Sequence, residues 1–267
     1  MRVFIGRAAN EKVRSFVIVL GEPSMSEVSS PSSAKWRLFK GQLIYLRKAL
    51  KAVRGGDPGE CPLCGYVGRF INSGNPPLPG IKCPSCTAGP RHRLLKLIQD
   101  REGIIPAGSE ILHFAAERAT RRMVAATRPG RYVTADLEPG FDLQVDIENL
   151  AVADASFDVV ICSHVLEHVN DKLALASIHR VLRPGGRLVA MVPIVDGWSS
   201  TYENPAITSR PDRKRHFGSG NHVRYYGRDF PDRLAAAGFT VRDYTGTPED
   251  VIRYRLNRGE RVFVGTR

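Results

Sequence analysis

No apolar run in these 267 residues approaches the length needed to cross a bilayer. Phe16-Val17-Ile18-Val19-Leu20 is too short for the core of a secretory signal peptide, and no small-residue cleavage site follows it. The expectation is therefore a cytoplasmic chain. A Gly-x-Gly-x-x-Gly turn is missing as well, which disfavours a nicotinamide dehydrogenase. Cysteine is scarce, yet four of the five fall in two Cys-x-x-Cys pairs. In a reducing compartment that pattern points to a metal rather than to disulfides. Acid is outnumbered, with 27 Asp and Glu against 39 Lys and Arg, a net charge of +12. Such a balance suits an anionic partner or substrate, and it also suits a merely basic surface.

What is there divides the chain into four parts. Residues 1–34 end in a Ser-, Pro- and Glu-rich stretch and read as a poorly ordered segment. Residues 35–57 carry Phe39, Leu43, Leu46, Leu50 and Val53 at helical spacing, with Lys40, Arg47, Lys48, Lys51 and Arg54 between them. This basic amphipathic helix packs on its own domain or offers a surface to nucleic acid, anionic lipid or a partner. Residues 58–100 hold Cys61, Cys64, Cys83 and Cys86, with eighteen residues between the pairs. Four thiolates close a tetrahedral Zn2+ site and leave no open position, so the metal is structural and the segment resembles a zinc ribbon. Arg91-His92-Arg93 then grips an anion or caps the junction between ribbon and helix. Residues 101–267 form the largest part.

Within it, Ile111–Phe114, Tyr132–Ala135, Phe157–Cys162 and Arg187–Val192 are apolar runs that read as strands. A helix pattern with Leu166, Leu173, Ile178, Val181 and Leu182 precedes the last of them and stops at Arg183-Pro184-Gly185-Gly186. Strands joined by helices give a parallel sheet covered on both faces, whose ligands sit at the carboxyl ends of the strands. Those ends carry Asp136, then Ser163-His164, then Pro193. Phe239–Thr245 and Arg261–Thr266 read as a final strand pair.

The pieces Asp136, Asp146-Ile147, Phe157-Asp158-Val159-Val160, His164-Val165-Leu166-Glu167-His168-Val169 and Leu182-Arg183-Pro184-Gly185-Gly186 together resemble a class I S-adenosylmethionine-dependent methyltransferase of the methyltransferase-11 type. The resemblance implies an α/β fold: a Rossmann-like sheet with helices on both faces, here preceded by the small zinc ribbon, and a last strand inserted antiparallel. It implies a cofactor site from the loop after the first strand. His113, Ala115 and Glu117 stand in that loop, with Glu117 toward the cofactor's ammonium group. The family's loop is usually glycine-rich; this one has no glycine, and alanine does not take positive φ freely. Asp136 accepts from the ribose hydroxyls, Leu137 and Ile147 cover the adenine, Asp146 accepts from its amine, and Ser163 and His164 line the cofactor. His168 and His222 are the candidate catalytic bases. Glu167 and His168 are alternatively ligands of a divalent cation. Tyr202, Arg224 and Tyr225 are the candidate substrate contacts.

The leading expectation is methyl transfer to an O or N atom of a small, polar or anionic metabolite, such as a sugar, a nucleotide-sugar or a secondary-metabolite intermediate. Two others stay open. One is an RNA methyltransferase that grips its substrate with ribbon and basic helix. The other is a non-catalytic zinc-ribbon binding protein whose glycine-free loop marks a lost cofactor site. The sequence is silent on oligomeric state.

Overall fold

The computed structural model describes residues 42–43, 58–74 and 78–267. The expected segment 1–34 and nearly all of the basic helix 35–57 lie outside them. Only Gln42 and Leu43 of that helix are described, both helical and exposed. Residues 51–267 belong to one compact unit, so ribbon and sheet are parts of the same body.

The ribbon is built from two hairpins. Strand β1 (Pro58–Glu60) pairs antiparallel with β2 (Val67–Arg69), and β3 (Ile71–Ser73) with β4 (Leu78–Lys82). Helix α1 (Pro90–Glu102) follows. Proline at its first position lacks an N–H that the helix would leave unbonded anyway. Gly103, at φ 57°, ends it and donates its N–H to Gln99 O.

The large sheet is assembled from β5 (Glu110–Phe114), β6 (Arg131–Asp136), β7 (Leu143–Gln144), β8 (Phe157–Ser163), β9 (Leu182–Met191), β12 (Thr240–Thr245) and β13 (Arg261–Thr266). Its order is β12-β13-β9-β8-β5-β6-β7. The strands from β7 to β9 are parallel, and β13 runs antiparallel to both of its neighbours. The Rossmann-like expectation and its antiparallel final strand therefore hold. Order reverses between β5 and β8, the switch point where α/β sheets take ligands.

Side-chain alternation along the strands feeds two cores. Leu112, Phe114, Val160, Cys162, Leu188 and Ala190 pack on one face with helix α3 (Asp171–Val181) and helix α5 (Phe230–Ala236). Ile111, Val159, Ile161, Val189 and Met191 pack on the other with α1 and with helix α2 (Arg118–Ala126). Each fully buried aliphatic or aromatic side chain here contributes about 1.5–3 kcal/mol.

The helix expected between β8 and β9 is broken in two. A 3-10 turn at Leu166–His168 comes first, and Asn170 then caps α3 by accepting from Leu173 N–H. The break rotates the helical face. Leu173, expected inside, is 51% exposed, while Ala174 and Leu175 are buried. Arg183-Pro184-Gly185-Gly186 does stop the helix, and it does so as an irregularity inside β9. A Cβ on Gly186 would lie 2.8 Å from Arg183 O and 3.1 Å from Asp158 O, so only glycine fits the closed backbone there.

Two helices and two strands arise where the sequence showed little periodicity. Helix α4 (Arg210–Phe217) starts at Ser209, whose side chain accepts from Asp212 N–H. Strands β10 (Tyr202–Glu203) and β11 (Arg224–Tyr225) pair antiparallel across it. Helix α6 (Pro248–Arg253) is capped by Thr247.

Candidate functional site

The four cysteines form one cluster, with their sulfurs within 4.8 Å of one another. Cys61 Sγ lies 3.5 Å from Cys86 Sγ, and Cys64 Sγ lies 3.7 Å from Cys83 Sγ. Four Zn–S bonds of about 2.3 Å in a tetrahedron separate sulfurs by about 3.8 Å, so the cluster fits Zn2+ closely. The two turns repeat each other bond for bond. Cys61 N–H donates to Tyr66 O and Gly65 N–H to Cys61 O; Cys83 N–H donates to Ala88 O and Thr87 N–H to Cys83 O. Gly65 at φ 72° and Thr87 at φ 65° occupy matching left-handed positions.

Arg93 joins this ribbon to the rest. Its side chain is fully buried and its guanidinium lies 4.7 Å above the Phe70 ring. It donates to Ala88 O at 2.6 Å and Ile81 O at 3.0 Å in the ribbon, and to Tyr254 O at 2.6 Å and Arg255 O at 2.7 Å beyond α6. Burial lowers its pKa to about 10, which still leaves it charged at neutral pH. Of the two roles open to the basic triplet, Arg93 takes the junction. Arg91 and His92 reach the other way and both bind the Glu117 carboxylate.

That pairing changes the loop after β5. Glu117 was expected to face an ammonium group; its carboxylate is instead taken by Arg91 and His92 from α1. Its pKa falls to about 2, first because of the His92 hydrogen bond and then, against the cost of burial, because of Arg91. His113 is enclosed, with Nδ1 2.8 Å from Tyr132 Oη, and burial drives its pKa down to about 3. It is a neutral interior residue. Ala115 adopts φ 48°. The loop thus makes a left-handed turn without glycine, and Ala115 N–H donates to Ala135 O on the next strand.

At the carboxyl ends of the neighbouring strands the side chains are freer. Asp136 Oδ1 accepts from Glu138 N–H at 3.0 Å, and Asp146 Oδ1 accepts from Glu148 N–H at 2.9 Å. Among the described residues neither carboxylate has another hydrogen bond. Leu137 stands 65% exposed between them in sequence, while Ile147 is buried in the core. Ser163 ends β8, and His164 after it takes φ 57° with its N–H bonded to Met191 O. Two non-glycine residues in left-handed backbone therefore sit past the ends of the adjacent strands β5 and β8. Strain of this kind, about 1–3 kcal/mol per residue, persists where surroundings enforce it and clusters at functional sites.

The 3-10 turn at Leu166–His168 is laced to the segment around His222. Val223 N–H donates to Glu167 O, and His168 Nδ1 lies 3.1 Å from Asn221 O. The His168 and His222 rings meet edge to face at 4.7 Å. The two candidate bases, far apart in sequence, are therefore together. Burial lowers the pKa of His222. Arg224 is not at the surface. It is 6% exposed, donating to Glu203 and to the carbonyls of Leu166 and Val169, and Arg233 closes the network onto Glu203 and Asp171. Tyr202 and Tyr225 do stay partly open, flanking Trp198 at 6.1 and 6.2 Å. An open depression of about 520 Å³ is lined by residues 197–202. Sequence reasoning missed Trp198, whose 41% exposure on a large apolar ring is a signal only the structure supplies.

Residues 109–190 match the family model described as a methyltransferase domain. Over 131 residues the chain is 42% identical to the ubiquinone/menaquinone biosynthesis C-methyltransferase UbiE of Klebsiella pneumoniae, covering 44% of this chain and 51% of that one. Over 80 residues it is 38% identical to the uncharacterized protein YafE of Escherichia coli, covering 27% of this chain and 37% of that one. The chain thus spans about half or less of the length of these relatives. Among solved structures, the Burkholderia thailandensis 1,6-didemethyltoxoflavin-N1-methyltransferase, with S-adenosylhomocysteine bound, is 20% identical at a TM-score of 0.46, covering 64% of this chain and 75% of that one. The donor set at the strand ends fits S-adenosylmethionine: two carboxylates with free oxygens suit hydroxyl and amine donors, and an exposed leucine beside them suits a ring. Only Glu117, already ion-paired, does not fit as a free partner for the ammonium group. Residues 109–190, which match a methyltransferase domain, lie in a Rossmann-like sheet that begins at β5.

Proposed function

We propose that the chain transfers a methyl group from S-adenosylmethionine to an O or N atom of a small polar metabolite. The observation that carries this reading is Asp136, a carboxylate at the end of β6 with a free oxygen, about twenty residues past the loop that follows β5. Asp136 would accept from the ribose hydroxyls, and Asp146 from the adenine amine. Leu137 would cover the ring, and Ser163 and the backbone of Ala115 would line the rest. Structural Zn2+ in the four-cysteine cluster would hold the ribbon.

The cofactor, when bound, supplies a methyl group on a sulfonium that is already activated toward attack. What remains for the chain is alignment and removal of a proton from the acceptor. Trp198, Tyr202 and Tyr225 give the acceptor an aromatic floor beside the depression at 197–202. Arg224 acts one step back by fixing the 3-10 turn that carries His168. His168 and His222 each place Nδ1 against a backbone carbonyl, so in the neutral ring Nε2 is the nitrogen that takes a proton or binds a cation. The Klebsiella relative is named as a C-methyltransferase, so carbon acceptors belong in the substrate screen.

The test is calorimetric titration of zinc-loaded protein with S-adenosylmethionine and S-adenosylhomocysteine. Micromolar binding, lost in Asp136→Ala, is the expected result. No binding by folded protein would overturn the reading.

A further inference from the structure

Three side chains with metal-ligating atoms meet beside the end of β8. Glu167, His168 and His222 each bring one potential ligand atom within 4.8 Å of the others. Glu167 is 1% exposed, and among the described residues its Oε2 has no hydrogen-bond partner. Its Oε1 is met, among the same residues, by His164 Nδ1 alone, at 3.1 Å. A buried carboxylate oxygen without a donor carries an uncompensated desolvation cost, which a cation would remove.

The imidazoles are prepared in the same sense. His168 Nδ1 lies 3.1 Å from Asn221 O, and His222 Nδ1 lies 3.1 Å from Phe217 O. A carbonyl only accepts, so each Nδ1 carries a proton, and in the neutral ring each Nε2 then keeps its lone pair. Metal-binding histidines are fixed in this way by an outer acceptor. The backbone beneath is braced: Val223 N–H reaches Glu167 O, and Arg224 and Tyr226 both donate to Leu166 O. Metal–ligand bonds of about 2.0–2.2 Å span ligand separations up to roughly 4.2 Å, so small side-chain shifts close the site.

We propose that Glu167, His168 and His222 bind one divalent transition-metal ion, a second centre distinct from the four-cysteine cluster. Two imidazoles and a carboxylate suit Zn2+, Fe2+, Co2+ or Mn2+ and leave coordination positions open, unlike the closed sulfur site. The open positions take oxygen ligands. If the methyl-transfer reading holds, they take a hydroxyl of the acceptor and make it acidic enough to give its proton to solvent water, and His168 and His222 are ligands rather than bases. That role rests on the methyl-transfer reading; the metal site itself does not.

Full-length protein with Zn2+ in the ribbon is titrated with Co2+ and followed by absorption. One further equivalent is expected, giving weak visible ligand-field bands without the sulfur-to-cobalt charge-transfer band of a thiolate site. Glu167→Gln and the half-buried His222→Ala and His168→Ala should each weaken uptake by about 100-fold or more. Unchanged circular dichroism of the two histidine variants would show that folding is intact, and His216→Ala should bind like the parent. Absence of a second equivalent, or parental uptake by both histidine variants, would overturn the proposal. S-adenosylhomocysteine binding is measured on the same samples. Cobalt uptake without it would keep the metal site and remove the methyl-transfer role, whereas cofactor binding without cobalt uptake would remove the metal site alone.

Discussion

Around Arg93, four of the five guanidinium donors reach backbone carbonyls, and an aromatic ring covers the plane. At the carboxyl ends of the sheet the opposite holds. Among the described residues, Asp136 and Asp146 each keep an oxygen without a partner and the buried Glu167 Oε2 has none, while Ala115 and His164 hold left-handed backbone. The first region spends its polar groups on itself and is closed. The second withholds them and stores strain. Buried polar groups are normally satisfied, so Glu167 Oε2 is an exception, whereas the half-buried Asp136 and the exposed Asp146 turn an oxygen toward solvent, where a ligand can reach it.

Substitutions should sort along this line. Arg93→Ala leaves four carbonyls facing one another without a donor and should cost about 3–5 kcal/mol, lowering Tm by roughly 10 °C in thermal denaturation. A Tm within about 2 °C of the parent would mean that the junction contributes little. Asp136→Ala should do the reverse: about 3 kcal/mol, or roughly 100-fold, off cofactor affinity by calorimetry, with Tm nearly unchanged. Glu117 tests the border between the regions. Its folded pKa, about 2, lies below its ordinary 4.5, so its stabilising effect is full above pH 4.5 and is lost as pH falls toward 2. Glu117→Gln should therefore flatten the acid limb of a stability-against-pH profile. The effect will be modest, because the side chain is 45% exposed. An unaltered limb would mean that Arg91 and His92 do not hold the carboxylate in solution. Leu137→Ala should weaken cofactor binding only a few-fold, in line with about 1 kcal/mol for a partly covered side chain, and leave unfolding untouched. Smallest of all, Ala115→Gly should be neutral to about 1 kcal/mol stabilising in chemical denaturation. It releases left-handed strain but loosens the unfolded chain.

Much of the closed region and of the sheet was legible because it rests on local patterns. Apolar runs marked β5, β6, β8, β9, β12 and β13, and cysteine spacing marked the cluster. The rim was only half legible. Asp136 and Asp146 showed themselves through their positions after strands. His168 and His222 were singled out separately, but nothing in their spacing said that their rings touch, since a backbone bond from Val223 to Glu167 brings them together. Arg224 misled for a related reason. An arginine in an aromatic loop reads as exposed until Glu203, Asp171 and the carbonyls of the 3-10 turn draw it inside. Leu173 fell on the wrong face because the break before Asn170 resets helical phase. Ala115 shows the limit of propensity, since the loop takes a left-handed turn that its composition argues against.

The acceptors of Arg93 lie on both sides of it in the chain, the farthest 162 residues later at Arg255. At about 5–20 residues per second, a ribosome delivers that partner roughly 8–30 s after Arg93. For that interval the ribbon exists without its dock. Its cysteines can take up metal at once, since all four precede Arg93, but the guanidinium must wait in solvent until the last helix arrives. Metal loading and docking are thereby separate events in the birth of the protein. A chain shortened before Tyr254 would carry a loaded ribbon with nowhere to settle.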